Sequence, residues 1–121
     1  MSIEKLIHEI KHHPDYPKAG MILCHNGIVR NTSRDGRAVT GLSIQVDHDR
    51  LRRIIEKSRQ DPGIIDVLVE IQENRILSVG DDVMYLVVAG DIRENVIRTL
   101  HGTLDTIKST VTQKTEFFKS A

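Results

Sequence analysis

The chain has 121 residues, which suits one domain with a sizeable core, and its seventeen basic residues balance seventeen acidic ones. With no net charge, no tryptophan, two tyrosines and two phenylalanines, it lacks the positive field and the stacking platforms used to bind nucleic acid or a membrane surface. We therefore expect a single domain, residues 1–121, that binds neither nucleic acid nor membrane.

The N-terminal segment predicts a helix and not a leader sequence. Pro14 would end this helix. Its apolar positions, at helical spacing, are Ile3, Leu6, Ile7 and Ile10. Charged residues interrupt residues 1–13 throughout, unlike a signal peptide or a membrane-spanning helix. Cys24 is the only cysteine, which suits a reducing compartment, so we expect a cytoplasmic protein and, at Cys24 itself, a buried, inert thiol.

The next two apolar segments predict strands. Residues 19–30, AGMILCHNGIVR, and residues 38–46, AVTGLSIQV, flank the polar turn NTSRDGR and are expected to pair as a hairpin. A second helix should follow, with Asp47 or Asp49 as its cap and the QDPG sequence as its end. The apolar residues of this helix are Leu51, Ile54 and Ile55.

The second half of the chain predicts another hairpin and a long helix. Residues 64–71 and 82–89 are apolar strands, and Asp91 with Glu94 resembles a capping box. The apolar stripe of the last helix is Ile92, Val96, Leu100, Leu104, Ile107 and Val111. The element order αββαββα predicts an α+β fold, with an antiparallel or mixed sheet made of two hairpins and three helices on one side of it.

Two lysines near the end of the chain are candidate catalytic residues. Lys108 borders the apolar stripe, where partial burial would favour a neutral amine suited to nucleophilic or acid–base chemistry. Lys114 lies beyond Val111, where the helix is expected to fray. An ordinary pair of solvated lysines at a helix end is the open alternative for both.

Arginines near the first hairpin turn predict an anion site. Arg30, Arg34 and Arg37 surround a turn that contains Gly36, and arginine suits bidentate binding of phosphate or carboxylate. Arg93, in the first turn of the last helix, could add to such a site. A solvated basic turn remains the alternative.

Metal and cofactor sites are not expected. His8 and His12 have the spacing of a shared metal site, but no matching third ligand is evident in the sequence. Dinucleotide, P-loop and C-x-x-C motifs are also absent, so we expect neither a metal nor a cofactor.

Three collinear stretches resemble the large, catalytic subunit of molybdopterin synthase. They are GIVRNTSRDGRAVTGL at 27–42, ILSVGDDVMYLVVAGDIR at 76–93 and TLDTIKSTVTQKTE at 103–116. The resemblance implies the α/β-hammerhead fold and a role in molybdenum cofactor biosynthesis. It implies sulfur transfer from the thiocarboxylated C-terminus of a small ubiquitin-like partner to cyclic pyranopterin monophosphate, within a heterotetramer built on a homodimer.

The same resemblance assigns roles to individual residues. Lys108 and Lys114 match catalytic lysines, and Arg30 and Arg93 match family arginines. With Arg37 of the basic turn, these two arginines are expected to bind the substrate phosphate. Ile92 stands where the family has a histidine. Because of such departures, a non-catalytic homodimeric module that binds another anion remains the alternative function.

Overall fold

A computed structural model describes residues 1–120 as three helices and six strands. A short 3₁₀ turn, Tyr16–Lys18, follows the first helix, and a π-helical turn, Ile107–Val111, follows the last one. The elements in chain order are α1 (Ile3–Lys11), β1 (Met21–Ile28), β2 (Val39–Val46), α2 (His48–Arg59), β3 (Ile64–Ile71), β4 (Leu77–Ser78), β5 (Asp82–Gly90), α3 (Arg93–Thr106) and β6 (Thr112–Phe118).

The strands form two antiparallel three-stranded sheets. The first sheet has the order β1-β5-β3, and the second has the order β4-β2-β6. The α+β class is therefore confirmed, and so is the pairing of β3 with β5, which β4 interrupts along the chain.

Strand β5 carries the core of the first sheet because both of its faces are covered. Its residues alternate, so that Tyr85, Val87 and Ala89 contact the α1 side, whereas Leu86 and Val88 pack with Val96 of α3 on the other side. The prediction that all helices lie on one side of the sheet is wrong. An unbroken apolar strand buries both faces, so helices are needed on each.

The predicted hairpin of β1 and β2 is also wrong, because each strand has a different partner. β1 pairs with β5, and β2 pairs with β4 and β6. The two segments meet at an isolated bridge between Thr32 and Ala38, inside the connecting loop. The inner face of β2 instead packs with Val29 and Leu77, which holds the second sheet against the edge of the first.

The C-terminal segment departs most from its predicted structure. The apolar stripe is confirmed from Val96 to Val111, whereas Ile92, its predicted first residue, is exposed at the start of the helix. Helix α3 ends at Thr106, and the chain becomes a strand at Thr112. The residues from Thr112 onward include several β-formers, and pairing with β2 satisfies their backbone groups. A strand therefore replaces the end of the long helix.

The predicted cap of α2 is confirmed, whereas the capping box predicted for α3 is wrong. Asp47 caps α2 as predicted, accepting a hydrogen bond from the N–H of Arg50 at 3.1 Å. At α3, Asp91 accepts from the N–H of Ile92 at 2.7 Å, while Glu94 forms an ion pair and no capping box.

The only cysteine, Cys24, is exposed on β1, so the prediction of a buried thiol is wrong.

Among residues 1–120, every helix is too short or too polar to cross a bilayer.

Candidate active site

A cavity of about 360 Å³ lies between the two sheets and beside the π-helical turn. It receives residues from β1, β2, β3, β5 and β6, together with one residue of the loop between β1 and β2. The lining residues are His25, Gly27, Ile28, Arg34, Leu42, Ile44, Ile71, Val83, Met84, Ile107, Lys108, Thr112 and Lys114.

The floor of the cavity is the end of the first sheet. Gly27, Met84 and Ile71 lie in one cross-strand row, and His25 lies two rows away, on the same face of the sheet. A side chain on Gly27 would encroach on this space, since a Cβ placed there would lie 3.4 Å from Nε2 of His25. The floor is therefore largely apolar, with one imidazole.

Lys114 reaches the cavity from the second sheet. It lies opposite Ile44 in the antiparallel pair of β2 and β6, so both side chains point to the same face. Its ammonium is 3.8 Å from the carboxylate of Glu116, and about half of the side chain (51%) remains exposed. The predicted frayed helix end is wrong, because a strand holds Lys114 in a defined direction.

Lys108 reaches the cavity from the π-helical turn. The preceding residue, Ile107, is fully buried and anchors the turn against Met84. Lys108 itself is exposed, so the partial burial predicted for it is wrong. The structure nevertheless brings Lys108 and Lys114 to the walls of one cavity.

Two further polar residues, Arg34 and His25, line the cavity. Arg34 belongs to the basic turn that predicts an anion site, and it alone of the three arginines of that turn lines the cavity. His25 carries no sequence signal of its own beyond sharing a strand face with Gly27 two residues later. Partial burial lowers the pKa of His25, and the positive charge of Lys108 lowers it further.

The three arginines predicted to bind substrate lie outside the lining of this cavity. Arg30 donates from Nε to the carbonyl of Thr32 at 2.8 Å. The guanidinium of Arg37 stacks 3.6 Å from the ring centre of Phe118, a cation–π contact. Arg93 pairs with its neighbour Glu94 and begins α3, whose fourteen residues separate it from Lys108 by roughly 20 Å at the helical rise of about 1.5 Å per residue.

The loop that carries Arg34 is held by its own polar contacts. The hydroxyl of buried Ser33 donates to Asp35 and accepts from the N–H of Arg37 at 3.1 Å. The hydrogen bond from the Ser33 hydroxyl, more than any other contact, lowers the pKa of Asp35. This order in the loop fixes the backbone on either side of Arg34.

The histidines of α1 form a local contact rather than a ligand cluster. Nδ1 of His12 donates to the carbonyl of His8 at 2.9 Å, and the two ring centres are 4.1 Å apart. Across residues 1–120, side chains that bind metals do not gather in groups of three or more.

The charged groups that line the cavity are all cationic. Lys108, Lys114 and Arg34 are solvent-accessible cations at the walls of a cavity with an apolar floor. Lysine and arginine donors of this kind bind phosphate and carboxylate oxygens. The arrangement is suited to hold an anionic reactant against the end of the first sheet.

Three solved structures illustrate the similarity of this fold to proteins of molybdopterin synthesis. Molybdopterin synthase from Staphylococcus aureus superposes with a TM-score of 0.80 at 17% identity, covering 100% of this chain and 88% of that one. Molybdopterin cofactor biosynthesis protein E from Burkholderia multivorans gives a TM-score of 0.77 at 21% identity, covering 98% and 82% of the two chains. A chain in the complex of subunits 1 and 2 of the molybdopterin-converting factor from Helicobacter pylori gives 0.72 at 14% identity, with 99% and 85% covered.

Comparison with a model of a protein family agrees with this fold. Comparison with curated proteins gives no match. The family model described as MoaE protein matches residues 1–110, which include β1 to β5, α3 and Lys108. A match over most of the chain, together with the shared fold, identifies the family: the chain belongs to the MoaE protein family.

Proposed function

We propose that this chain is the large, catalytic subunit of a molybdopterin synthase and acts in molybdenum cofactor biosynthesis. It would transfer sulfur from the thiocarboxylated C-terminus of a small partner subunit to cyclic pyranopterin monophosphate. Membership of the MoaE protein family supports this proposal. The observation that carries it at the level of chemistry is the meeting of Lys108 and Lys114 in one cavity.

The cavity suits both reactants because both are anions. One brings a cyclic phosphate and the other a thiocarboxylate, and Lys108, Lys114 and Arg34 offer positive hydrogen-bond donors to either. Since Lys108 is exposed, we assign it a charged ammonium that orients the thiocarboxylate and stabilises negative charge developing on it. Lys114, fixed by β6, would hold the second anionic group from the opposite wall.

The partner would be a small ubiquitin-like protein whose C-terminal tail enters the cavity. The Helicobacter pylori structure holds subunits 1 and 2 of its factor together, which supports a two-subunit assembly here. We further propose a homodimer of this chain within a heterotetramer, located in the cytoplasm. Arg93 cannot reach the cavity of its own chain, so its predicted role in substrate binding requires the second copy. Arg30 and Arg37 would contribute positive charge from the nearby loop.

Reconstitution tests the proposal directly. The chain is mixed with a thiocarboxylated small subunit and cyclic pyranopterin monophosphate, and formation of the dithiolene product is measured. Lys108→Ala is compared with Lys57→Ala, which removes an exposed lysine of α2 outside the cavity. Product from the unaltered chain and from Lys57→Ala, but not from Lys108→Ala, is the expected result. Anion binding without any product would instead favour the non-catalytic module.

A further inference from the structure

The side chain of His25 holds a buried polar atom without a hydrogen-bond partner. Within residues 1–120, Nε2 of this histidine is the buried side-chain nitrogen or oxygen atom that has none. Buried polar groups are nearly always paired, because an unpaired one loses its bonds to water and gains nothing in return. An unpaired atom beside a cavity therefore points to a ligand that completes it.

The strand register explains why no protein group reaches this atom. Across the first sheet, His25 faces Leu86 of β5, and Leu86 in turn faces Val69 of β3, so its row neighbours are apolar. Nε2 points toward Gly27, two residues along the same face, where the missing side chain provides no polar group and a Cβ would lie 3.4 Å from Nε2. A hydrogen-bond partner for Nε2 would therefore have to come from the cavity, since the residues of the sheet provide none.

The charges around the cavity identify the ligand atom that would meet Nε2. The titratable and charged groups that line the cavity with His25 are Lys108 from the π-helical turn, Lys114 from β6 and Arg34 from the loop. β3 and β5 contribute only apolar side chains, Ile71, Val83 and Met84. A ligand that satisfies three cations is an anion, and its oxygen or sulfur atoms accept hydrogen bonds.

We propose that His25 is a ligand contact of this cavity, donating a hydrogen bond from Nε2–H of its neutral ring to an anionic acceptor atom. The inference rests on the proposed function and extends it by one specific residue. The acceptor is either the phosphate of the pyranopterin or the C-terminal carboxylate or thiocarboxylate of the small partner. Both sources share this chemistry, and separate titrations distinguish them.

Binding of the anion has a consequence for protonation of the ring. Burial and the charge of Lys108 lower the pKa of free His25, which keeps the ring neutral near pH 7. A bound anion offsets the charge of Lys108 and adds a negative neighbour, so the pKa of His25 rises in the complex. Binding is then coupled to proton uptake below neutral pH.

Histidine-ring NMR tests the contact on the intact chain. Long-range ¹H–¹⁵N spectra identify the tautomer and the pKa of His25 among the six histidines, with His25→Phe supplying the assignment. Three probes are titrated separately: orthophosphate, cyclic pyranopterin monophosphate, and a peptide with the Gly-Gly C-terminus of the small partner. We expect a shift of the His25 Nε2 resonance and a higher pKa of His25 with at least one probe.

Affinities of matched variants test whether the contact contributes to binding. His25→Phe keeps a ring but loses the donor, and we expect it to bind the responding probe about tenfold more weakly, the loss expected for one hydrogen bond. His25→Gln keeps a donor and should stay closer to the unaltered chain. His101→Gln, an exposed histidine of α3 outside the cavity, is the control and should bind normally.

The outcomes separate this inference from the proposed function. If orthophosphate or the peptide shifts His25 while cyclic pyranopterin monophosphate does not bind, the His25 contact stands and the proposed substrate is wrong. If dithiolene forms and yet His25→Phe binds every probe as the unaltered chain does, the inference is wrong and the proposed function stands. Ring resonances of His25 that stay unchanged with all three probes also overturn the inference.

Discussion

Lys114 lies directly opposite Ile44 in the antiparallel pair of β2 and β6, and this register turns its side chain into the cavity that Lys108 also lines. The two lysines are six positions apart in the chain and reach the cavity from different elements. Lys108 comes from the π-helical turn and Lys114 from a strand. Their convergence is a property of the fold, and the predictions below depend on it.

Removal of the Lys108 ammonium should abolish most of the sulfur transfer. We expect Lys108→Ala to lower the rate of dithiolene formation by about 10²–10³-fold, the usual effect of losing one donor that stabilises developing negative charge. The rate is measured in the reconstituted system, with circular dichroism to confirm folding. Activity of Lys108→Ala equal to that of Lys57→Ala would show that Lys108 is an ordinary surface lysine.

Moving Lys114 by one position should be as harmful as deleting it. In a strand, successive side chains point to opposite faces, so the double variant Lys114→Thr with Thr115→Lys keeps the composition but turns the lysine away from the cavity. We expect its activity to match that of Lys114→Ala and to fall well below that of the unaltered chain. A fully active double variant would contradict the orientation that the pairing of β2 and β6 gives.

Arg34 should matter more for substrate binding than Arg30 does. Only Arg34 lines the cavity, and a charge-assisted hydrogen bond contributes about 1.5–3 kcal/mol, so Arg34→Ala should raise the apparent KM at least about tenfold. Arg30→Ala, whose side chain bonds the loop carbonyl of Thr32, should change it less. Added salt should narrow the difference between Arg34→Ala and the unaltered chain, because it screens the attraction. Equal effects of the two variants would argue against this cavity as the substrate site.

Ile107 should be the residue of the π-helical turn on which the site depends for stability. It is fully buried beside Met84 and Val111, and its truncation leaves a cavity, so Ile107→Ala should lower the free energy of unfolding by about 2–5 kcal/mol. Ile97, half-exposed (50%) on α3, is the matched control and should change stability by no more than about 0.5 kcal/mol. Urea unfolding of both variants measures the difference. Similar values for the two would mean that the turn is not anchored by Ile107.

Acid should destabilise the chain partly through Asp82. The hydroxyl of Tyr85 donates to Asp82 at 2.5 Å and the amide of Asn26 donates at 3.1 Å, and these bonds lower the pKa of Asp82 in the folded state. Because the pKa of Asp82 is lower in the folded state than in the unfolded state, ionised Asp82 stabilises the fold at pH values above its unfolded-state pKa, which is near 4. This stability is lost as the pH falls through the folded-state pKa. Thermal unfolding between pH 7 and pH 3 should therefore show a smaller acid-induced fall in Tm for Asp82→Asn. If Tm falls equally with acid in Asp82→Asn and in the unaltered chain, Asp82 does not contribute to the acid sensitivity of the fold.

Local sequence patterns predicted the positions of the helices and strands better than they predicted which strands pair with each other. The apolar runs located β1, β2, β3 and β5, and helical spacing located α1 and the buried stripe of α3. Pairing was harder to predict, because β1 and β2 are neighbours in sequence and both apolar, which also fits a hairpin. Two features favour the observed pairing. Val29 and Leu42 are buried in a shared cluster, and β1 pairs with the edge of β5 that is not occupied by β3.

Some residues of the candidate site could be predicted from the sequence, and others are evident only in the folded structure. Lys108 could be selected from sequence because it borders the apolar stripe and matches a family motif. His25 could not, since a histidine in an apolar strand becomes notable only when the row of Leu86 and the gap above Gly27 leave its Nε2 unpaired. The family motif predicts a substrate-binding role for Arg93, but the length of α3 places Arg93 far from the cavity of its own chain.

The sequence by itself determined the α+β class, the apolar stripe that ends at Val111 and the family, because these depend on local periodicity and on collinear motifs. The tertiary structure alone decided that the chain after Thr112 is a strand and that Lys114 faces the cavity. The physical reason is that a strand is stabilised by hydrogen bonds to a partner distant in sequence. Local sequence does not specify the partner of residues 112–118, and pairing with β2, in the register that places Lys114 opposite Ile44, sets the direction of the Lys114 side chain.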